Sequence, residues 1–221
     1  MTTTPLATLA ETCCSAGSAR PWPAASGPRI RRGLSERSPS LHHHLANVAS
    51  LAEAVSRKHG LPEVDVEWIR IAAELHDVGK MAIPDTILNK PGPLSNDEWA
   101  VMKRHTVIGE RIIRSSRSVA SMAPAARLVR SSHECYDGTG YPDGLCAGEI
   151  DLGASIIAVC DAYDAMRSDR VYRKARSHED AIAELRRCAG TQFDPAVVEL
   201  FCSTLERDDR TQKPTPTGGK Q

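Results

Sequence analysis

The sequence carries no excess of charge of either sign. Lys and Arg total 28 and Asp and Glu total 28, for a formal net charge of zero. A nucleic acid polymer or an anionic membrane surface therefore finds no electrostatic footprint here. Long hydrophobic runs are missing too, and none approaches the roughly 20 apolar residues of a membrane-spanning helix. Met1 to Ala10 lacks the basic start and extended apolar stretch of a signal peptide, so a cytoplasmic protein is expected. Zinc-type Cys-x-x-Cys spacing is absent. The seven cysteines (Cys13, Cys14, Cys135, Cys146, Cys160, Cys188 and Cys202) are odd in number. In a reducing compartment they are expected as free thiols, with Cys160, Cys188 and Cys202 reading as small buried hydrophobes in helical patterns. Internal repeats are lacking, and no segment alternates convincingly as a strand.

What is present is a helical pattern between two weakly patterned ends. With 221 residues, 41% of them hydrophobic, the chain can build one core of ordinary size. Residues 1–36, rich in Ala, Ser, Thr, Pro and Gly, read as a disordered N-terminal tail, and 208–221 as a C-terminal one. Residues 37–207 are left as the domain. The spacing predicts helices over Leu41 to His59, closed by Gly60-Leu61-Pro62, and Glu63 to Asp77. A short helix is expected within Ile83 to Lys90. Beyond Pro91-Gly92-Pro93 comes a Ser95-capped helix with a bend near His105. Further helices are expected over Met122 to Ser132, Ala154 to Met166, Ser177 to Ala189 and Asp194 to Leu205. The fold class is all-α, with a Gly-rich loop that has room for a short hairpin.

Imidazoles and carboxylates recur on the apolar stripes of these helices. His76-Asp77 ends the second helix on the face of Trp68, Ala72 and Leu75. His44 lies one turn before Val48, and His105 follows Trp99 and Met102. His133-Glu134 ends another helix, and Asp161 lies one turn after Ile157. Singly, each is an ordinary core or surface residue. Five such stations on separate helical segments suit a metal site built inside a bundle, because an uncompensated buried charge is costly. Mixed imidazole and carboxylate ligands suit iron, manganese or zinc better than calcium or magnesium.

His76-Asp77-Val78-Gly79-Lys80 and the later Asp137-Gly138-Thr139-Gly140-Tyr141-Pro142 resemble the two signatures of the HD-GYP phosphodiesterases, bacterial hydrolases of cyclic di-GMP. The resemblance runs from about Arg37 to Leu205. It takes in Ile87-Leu88-Asn89-Lys90-Pro91-Gly92, His105 with Gly109, Ala158 to Ala165, and Ser168 to Arg173. It implies an HD-type helical bundle and two divalent metal ions, iron or manganese. His44, His76, Asp77 and Asp161 would hold one ion. Asp77, His105 and His133 would hold the other, with the Asp77 carboxylate bridging. His44 is chosen over His42 and His43 because it keeps the family's spacing to Val48-Ala49.

The implied chemistry is opening of cyclic di-GMP to pGpG, with GMP as a further product, by a hydroxide held between the metals. Lys80 would point its ammonium at a phosphoryl oxygen. Arg170 and Arg173 would grip phosphate or guanine. Tyr141 would contact a base or anchor the loop, and Pro142 would stiffen it.

Two departures bear on this reading. Ser132 stands where many members have a histidine before His133-Glu134, which weakens the second metal unless Ser132 positions a metal-bound water. Ser40 stands where some members carry a glutamate for a third metal. The family domain is commonly joined to a receiver or sensory module, whereas residues 1–36 give no hint of one. Input is therefore expected from a separate partner, from expression control, or not at all; a diguanylate cyclase or another signalling protein is the partner considered. The alternatives are a catalytically weak module that binds a cyclic dinucleotide or a protein, and a hydrolase of another nucleotide.

Overall fold

The computed structural model describes residues 39–115, 122–169 and 174–211, with side chains described from His43 to Glu206 within those stretches. Nine α-helices appear among them. α1 is Pro39–His59, α2 Glu63–Leu75, α3 Asp85–Leu88, α4 Asn96–Lys103 and α5 His105–Ser115. α6 is Ala123–Ser131, α7 Leu152–Arg167, α8 His178–Arg187 and α9 Pro195–Thr211. Two 3-10 turns, Val78–Ala82 and Ala147–Glu149, sit between them. The all-α expectation holds. The Gly-rich loop, with room for a short hairpin, carries within the described residues only an isolated antiparallel bridge between Asp137 and Cys146.

Local chemistry sets the helix ends. Ser95 caps α4 in a reciprocal pair, its hydroxyl accepting the Glu98 N–H while the Glu98 carboxylate accepts the Ser95 N–H. Asp151 caps α7 through the Gly153 N–H, and Ser177 caps α8 through the Asp180 N–H. The bend expected near His105 is a break at Arg104 that separates α4 from α5. The second helix stops at Leu75 rather than Asp77, because the chain tightens into the 3-10 turn from Val78. α9 runs on to Thr211, past the expected domain end at residue 207. The expected N-terminal tail lies outside the described residues.

α1 packs against α2 and α7, α2 against α6, and α5 against α6 and the first 3-10 turn, while α9 closes over α1, α7 and α8. The core is aliphatic: Val48, Ala52 and Val55 of α1 meet Ile69, Ala72 and Ala73 of α2, Val129 of α6, and Ile156, Ile157 and Val159 of α7. Leu185 and Phe201 complete it from α8 and α9. Cys160 and Cys202 are buried as expected, whereas Cys188 is only half-buried because it caps the end of α8. No helix among the described residues is long and apolar enough to cross a membrane.

Candidate metal centre

Four elements of this bundle converge at the buried end of α2. His76 and Asp77 leave α2 at the entry to the 3-10 turn, and both are buried, at 1% and 2% exposure. That turn lies so close to α5 that a Cβ on Gly79 would sit 1.9 Å from the His105 carbonyl oxygen. Only glycine permits this approach, and it brings His105 up to Asp77. α6 ends into His133, α7 carries Asp161, and α1 carries His44.

The side chains form two sets of three. Ligand atoms of His44, His76 and Asp161 lie within 4.8 Å of one another, as do those of Asp77, His105 and His133. The Asp77 carboxylate joins the sets. Its Oδ2 is 3.7 Å from His76 Nε2, and its Oδ1 is 3.7 Å from His105 Nε2. His44 Nε2 lies 3.1 Å from Asp161 Oδ1, and His76 Nε2 lies 3.8 Å from the same oxygen. His133 packs edge-on to both His105 and His76, with ring centroids 5.0 and 6.3 Å apart.

The donor chemistry fits metal ions. Among the described residues, four buried side-chain polar atoms lack a protein hydrogen-bond partner: Nε2 of His76, His105 and His133, and Oδ1 of Asp77. Buried polar atoms are otherwise almost always paired. The His76 Nδ1–H donates to the Ala73 carbonyl at 2.7 Å and the His105 Nδ1–H to the Met102 carbonyl at 2.8 Å. A carbonyl can only accept, so each Nδ1 holds the proton and each Nε2 offers a lone pair.

His44 has a carboxylate in that supporting role: its Nδ1 meets Asp164 Oδ2 at 2.7 Å, while Asn47 donates to Asp164 Oδ1 at 3.0 Å. Asp164 is a residue that the sequence pattern alone does not mark as functional. The available signal is its position one turn after Asp161, on the same face of α7.

Charge follows the geometry. Burial alone would raise the pKa of Asp77, yet Lys80, His76 and His105 hold its carboxyl well below the usual range. Asp161 is likewise held low against its burial by His44, His76 and His133. Burial opposes charge on His44, but Asp161 and Asp164 raise it to about 9. Burial lowers His133 to about 4 and also depresses His105. Two imidazoles are thereby kept neutral beside two carboxylates kept ionised.

The HD domain family matches residues 29–197 of this sequence. The chain belongs to that family. It is 42% identical over 176 residues to a cyclic di-GMP phosphodiesterase of Thermotoga maritima, covering 79% of this chain and 47% of the relative. It is 37% identical over 173 residues to a 3'3'-cGAMP-specific phosphodiesterase of Vibrio cholerae, covering 78% and 33%. The chain thus spans about half or less of the length of these relatives. A solved cyclic GMP-AMP-specific phosphodiesterase of Vibrio cholerae superposes with a TM-score of 0.62 at 18% identity, over 81% of this chain and 48% of that one. The fold is shared.

Around the metal groups of this HD domain the Gly-rich loop forms one wall. Gly140 lies against Glu134 and Cys135 so closely that a Cβ would stand 2.2 Å from the Cys135 amide nitrogen. Glu134 turns away from the metal groups, its carboxylate accepting the backbone N–H of Asp143 at 2.7 Å and of Leu145 at 3.1 Å. Arg130 clamps Asp143 through two hydrogen bonds and also reaches Glu110. So anchored, the loop lays Tyr141 on His133, with rings 5.2 Å apart and nearly parallel; a cis peptide follows to Pro142. Tyr141 is thus beside the metal groups, with Pro142 next to it in the chain.

The other expected site residues are placed less simply. Lys80 does not extend freely: its Nζ donates to Asp77 Oδ2 at 2.7 Å. Ser132 is buried and spends its hydroxyl proton on the Val129 carbonyl at 3.0 Å. It therefore has no proton left to donate to a water. His43 is exposed, and the side chains of Ser40 and His42 lie outside the described residues, as do Arg170 and Arg173. Above the metal groups lies a cleft of about 420 Å³, whose lining includes Trp99, Lys103, His133, Tyr141, Asp161 and Gln192.

Proposed function

We propose that this chain is a metal-dependent phosphodiesterase that opens cyclic di-GMP to linear pGpG, with GMP as a later product. The observation that carries this reading is the pair of three-residue donor groups joined through one carboxylate, Asp77, beneath an open cleft. His44, His76 and Asp161 would hold one divalent cation and Asp77, His105 and His133 the other, with Asp77 facing both. Iron or manganese suits this mixture of imidazole and carboxylate. Such ions supply a strong nucleophile from water at neutral pH and stabilise charge on a phosphoryl group.

The chain's own residues supply the rest. His76 and His105 are locked as lone-pair donors by their backbone partners, so they need no proton rearrangement before ligation. Lys80 brings positive charge to the edge of the Asp77 carboxylate, where the phosphoryl oxygens of a diester in the cleft would gather negative charge. Tyr141 holds His133 in orientation by stacking. Arg170 and Arg173, beyond the end of α7, are proposed to contact the second phosphate or a guanine. In the reaction a water oxygen bonds to phosphorus and the P–O3′ bond breaks, leaving a 3′ hydroxyl and a 5′ phosphate monoester.

A second reading changes only the bases, and the relative named as 3'3'-cGAMP-specific motivates it. Chromatography of products from cyclic di-GMP and 3'3'-cGAMP, offered separately to manganese-loaded protein, tests both. The expected result is pGpG from the first at the greater kcat/KM. Exclusive turnover of the second would transfer the assignment.

A further inference from the structure

Trp99 plays no part in the chemistry described so far. Its helix, α4, is fixed by the reciprocal Ser95–Glu98 cap, and Lys90 reinforces Glu98 with an ion pair at 2.5 Å. The Trp99 N–H donates to the Ser95 carbonyl at 2.8 Å, so the residue sits in a well-anchored first turn. The residue is nonetheless 45% exposed. Only three large hydrophobic side chains among the described residues are exposed, Val64, Met81 and Trp99, and of these Trp99 alone lines the cleft.

The indole continues a row of rings. Trp99 meets Tyr141 edge-on at 6.1 Å, and Tyr141 stacks on His133 of the metal group at 5.2 Å. Lys103, one helical turn after Trp99, places its ammonium 6.0 Å from the centre of the Tyr141 ring. The cleft wall thus runs from solvent to metal as indole, phenol and imidazole, with a cation beside the middle ring. A planar, anionic molecule matches that sequence: its flat part covers the indole and its charged part lies towards Lys103 and the metal groups.

We propose that Trp99, with Lys103 beside it, is a stacking platform for a purine base of the substrate at the rim of the cleft. This role in turnover rests on the phosphodiesterase reading above; the capacity to stack a purine does not. Stacking on an indole is tolerant of base identity, because every base presents a π-face. Trp99 therefore holds guanine and adenine alike and sets KM rather than the choice between them.

Two measurements test it together. With manganese-loaded protein, Trp99→Ala raises KM for cyclic di-GMP about 10-fold or more, with kcat and metal content as in the parent, and Trp99→Phe stays within about 3-fold of the parent. In a proton–nitrogen spectrum, the indole Nε1–H signal identified by its loss in Trp99→Phe shifts when guanosine 5′-monophosphate is added. Unchanged KM in Trp99→Ala, or an unmoved indole signal, overturns the platform. A parent that hydrolyses no cyclic dinucleotide while its Trp99 signal still responds to the nucleotide overturns the phosphodiesterase reading and leaves the platform standing.

Discussion

Asp77 divides its two oxygens between two sets of imidazoles, and its neighbours divide the protons. His133, lowered by burial to about 4, is neutral and ready to ligate at any pH of interest. His44, at about 9, carries a proton at neutral pH in the metal-free chain, shared with Asp161 and Asp164. Ligation must displace that proton. Metal affinity should therefore rise with pH up to about 9, by about tenfold per unit for the single proton released. Calorimetric titration with manganese at pH 7, in buffers of different ionisation enthalpy, should report that proton, and no release would contradict the assignment of His44. The metal-free chain has the opposite slope. A raised His44 stabilises the fold below its unfolded value of 6.5, and that contribution is lost as pH climbs through about 9.

Asp164 holds His44 through its Nδ1, and any effect on a metal would pass through that imidazole. Asp164→Asn should keep the hydrogen bond but lose the charge, weakening metal at the His44 group by about 10- to 100-fold. Manganese titration should then show one site weakened and the other intact; equal weakening of both would contradict the division into two groups. His44, His76, His105, His133 and Asp161 were legible in the sequence because each interrupts an apolar stripe with a group that burial makes costly. Asp164 does the same one turn later, but nothing in the sequence shows that α1 passes opposite that face of α7.

At the scale of elements, the starts of α4 and α8 followed from capping chemistry at Ser95 and Ser177, whereas the Asp151 cap starts α7 at Leu152, ahead of the expected Ala154. What the sequence did not reveal is the 3-10 turn after Asp77, which tertiary packing imposes. Gly79 reads locally as a helix stop, whereas in the fold it marks the contact of that turn with α5. Gly79→Ala forces a Cβ into the His105 carbonyl and should cost about 3 kcal/mol. Urea unfolding measures that loss, and metal content should fall with it because His105 and Asp77 are moved apart. A stable, fully metallated Gly79→Ala protein would contradict the packing argument. Glu134 was another element-scale surprise. Its sequence position beside His133 suggests the metal, but the loop from Asp143 to Leu145 folds back and takes both of its oxygens.

At the scale of the molecule, the candidate ligands arrive from α1, the α2 exit, α5, the α6 exit and α7, and only the complete bundle assembles them. The aliphatic core between α1, α2, α6 and α7 holds those ends in place. A chain that buries unpaired Nε2 atoms and an ionised carboxylate in such a core is built to be completed by cations. The most direct measurement is metal content and cyclic di-GMP turnover on one anaerobic preparation, beside Asp77→Ala. The expected result is about two divalent ions per chain and pGpG from the parent, with metal depleted and turnover abolished in Asp77→Ala. Metal content and turnover both unchanged by that substitution would contradict it.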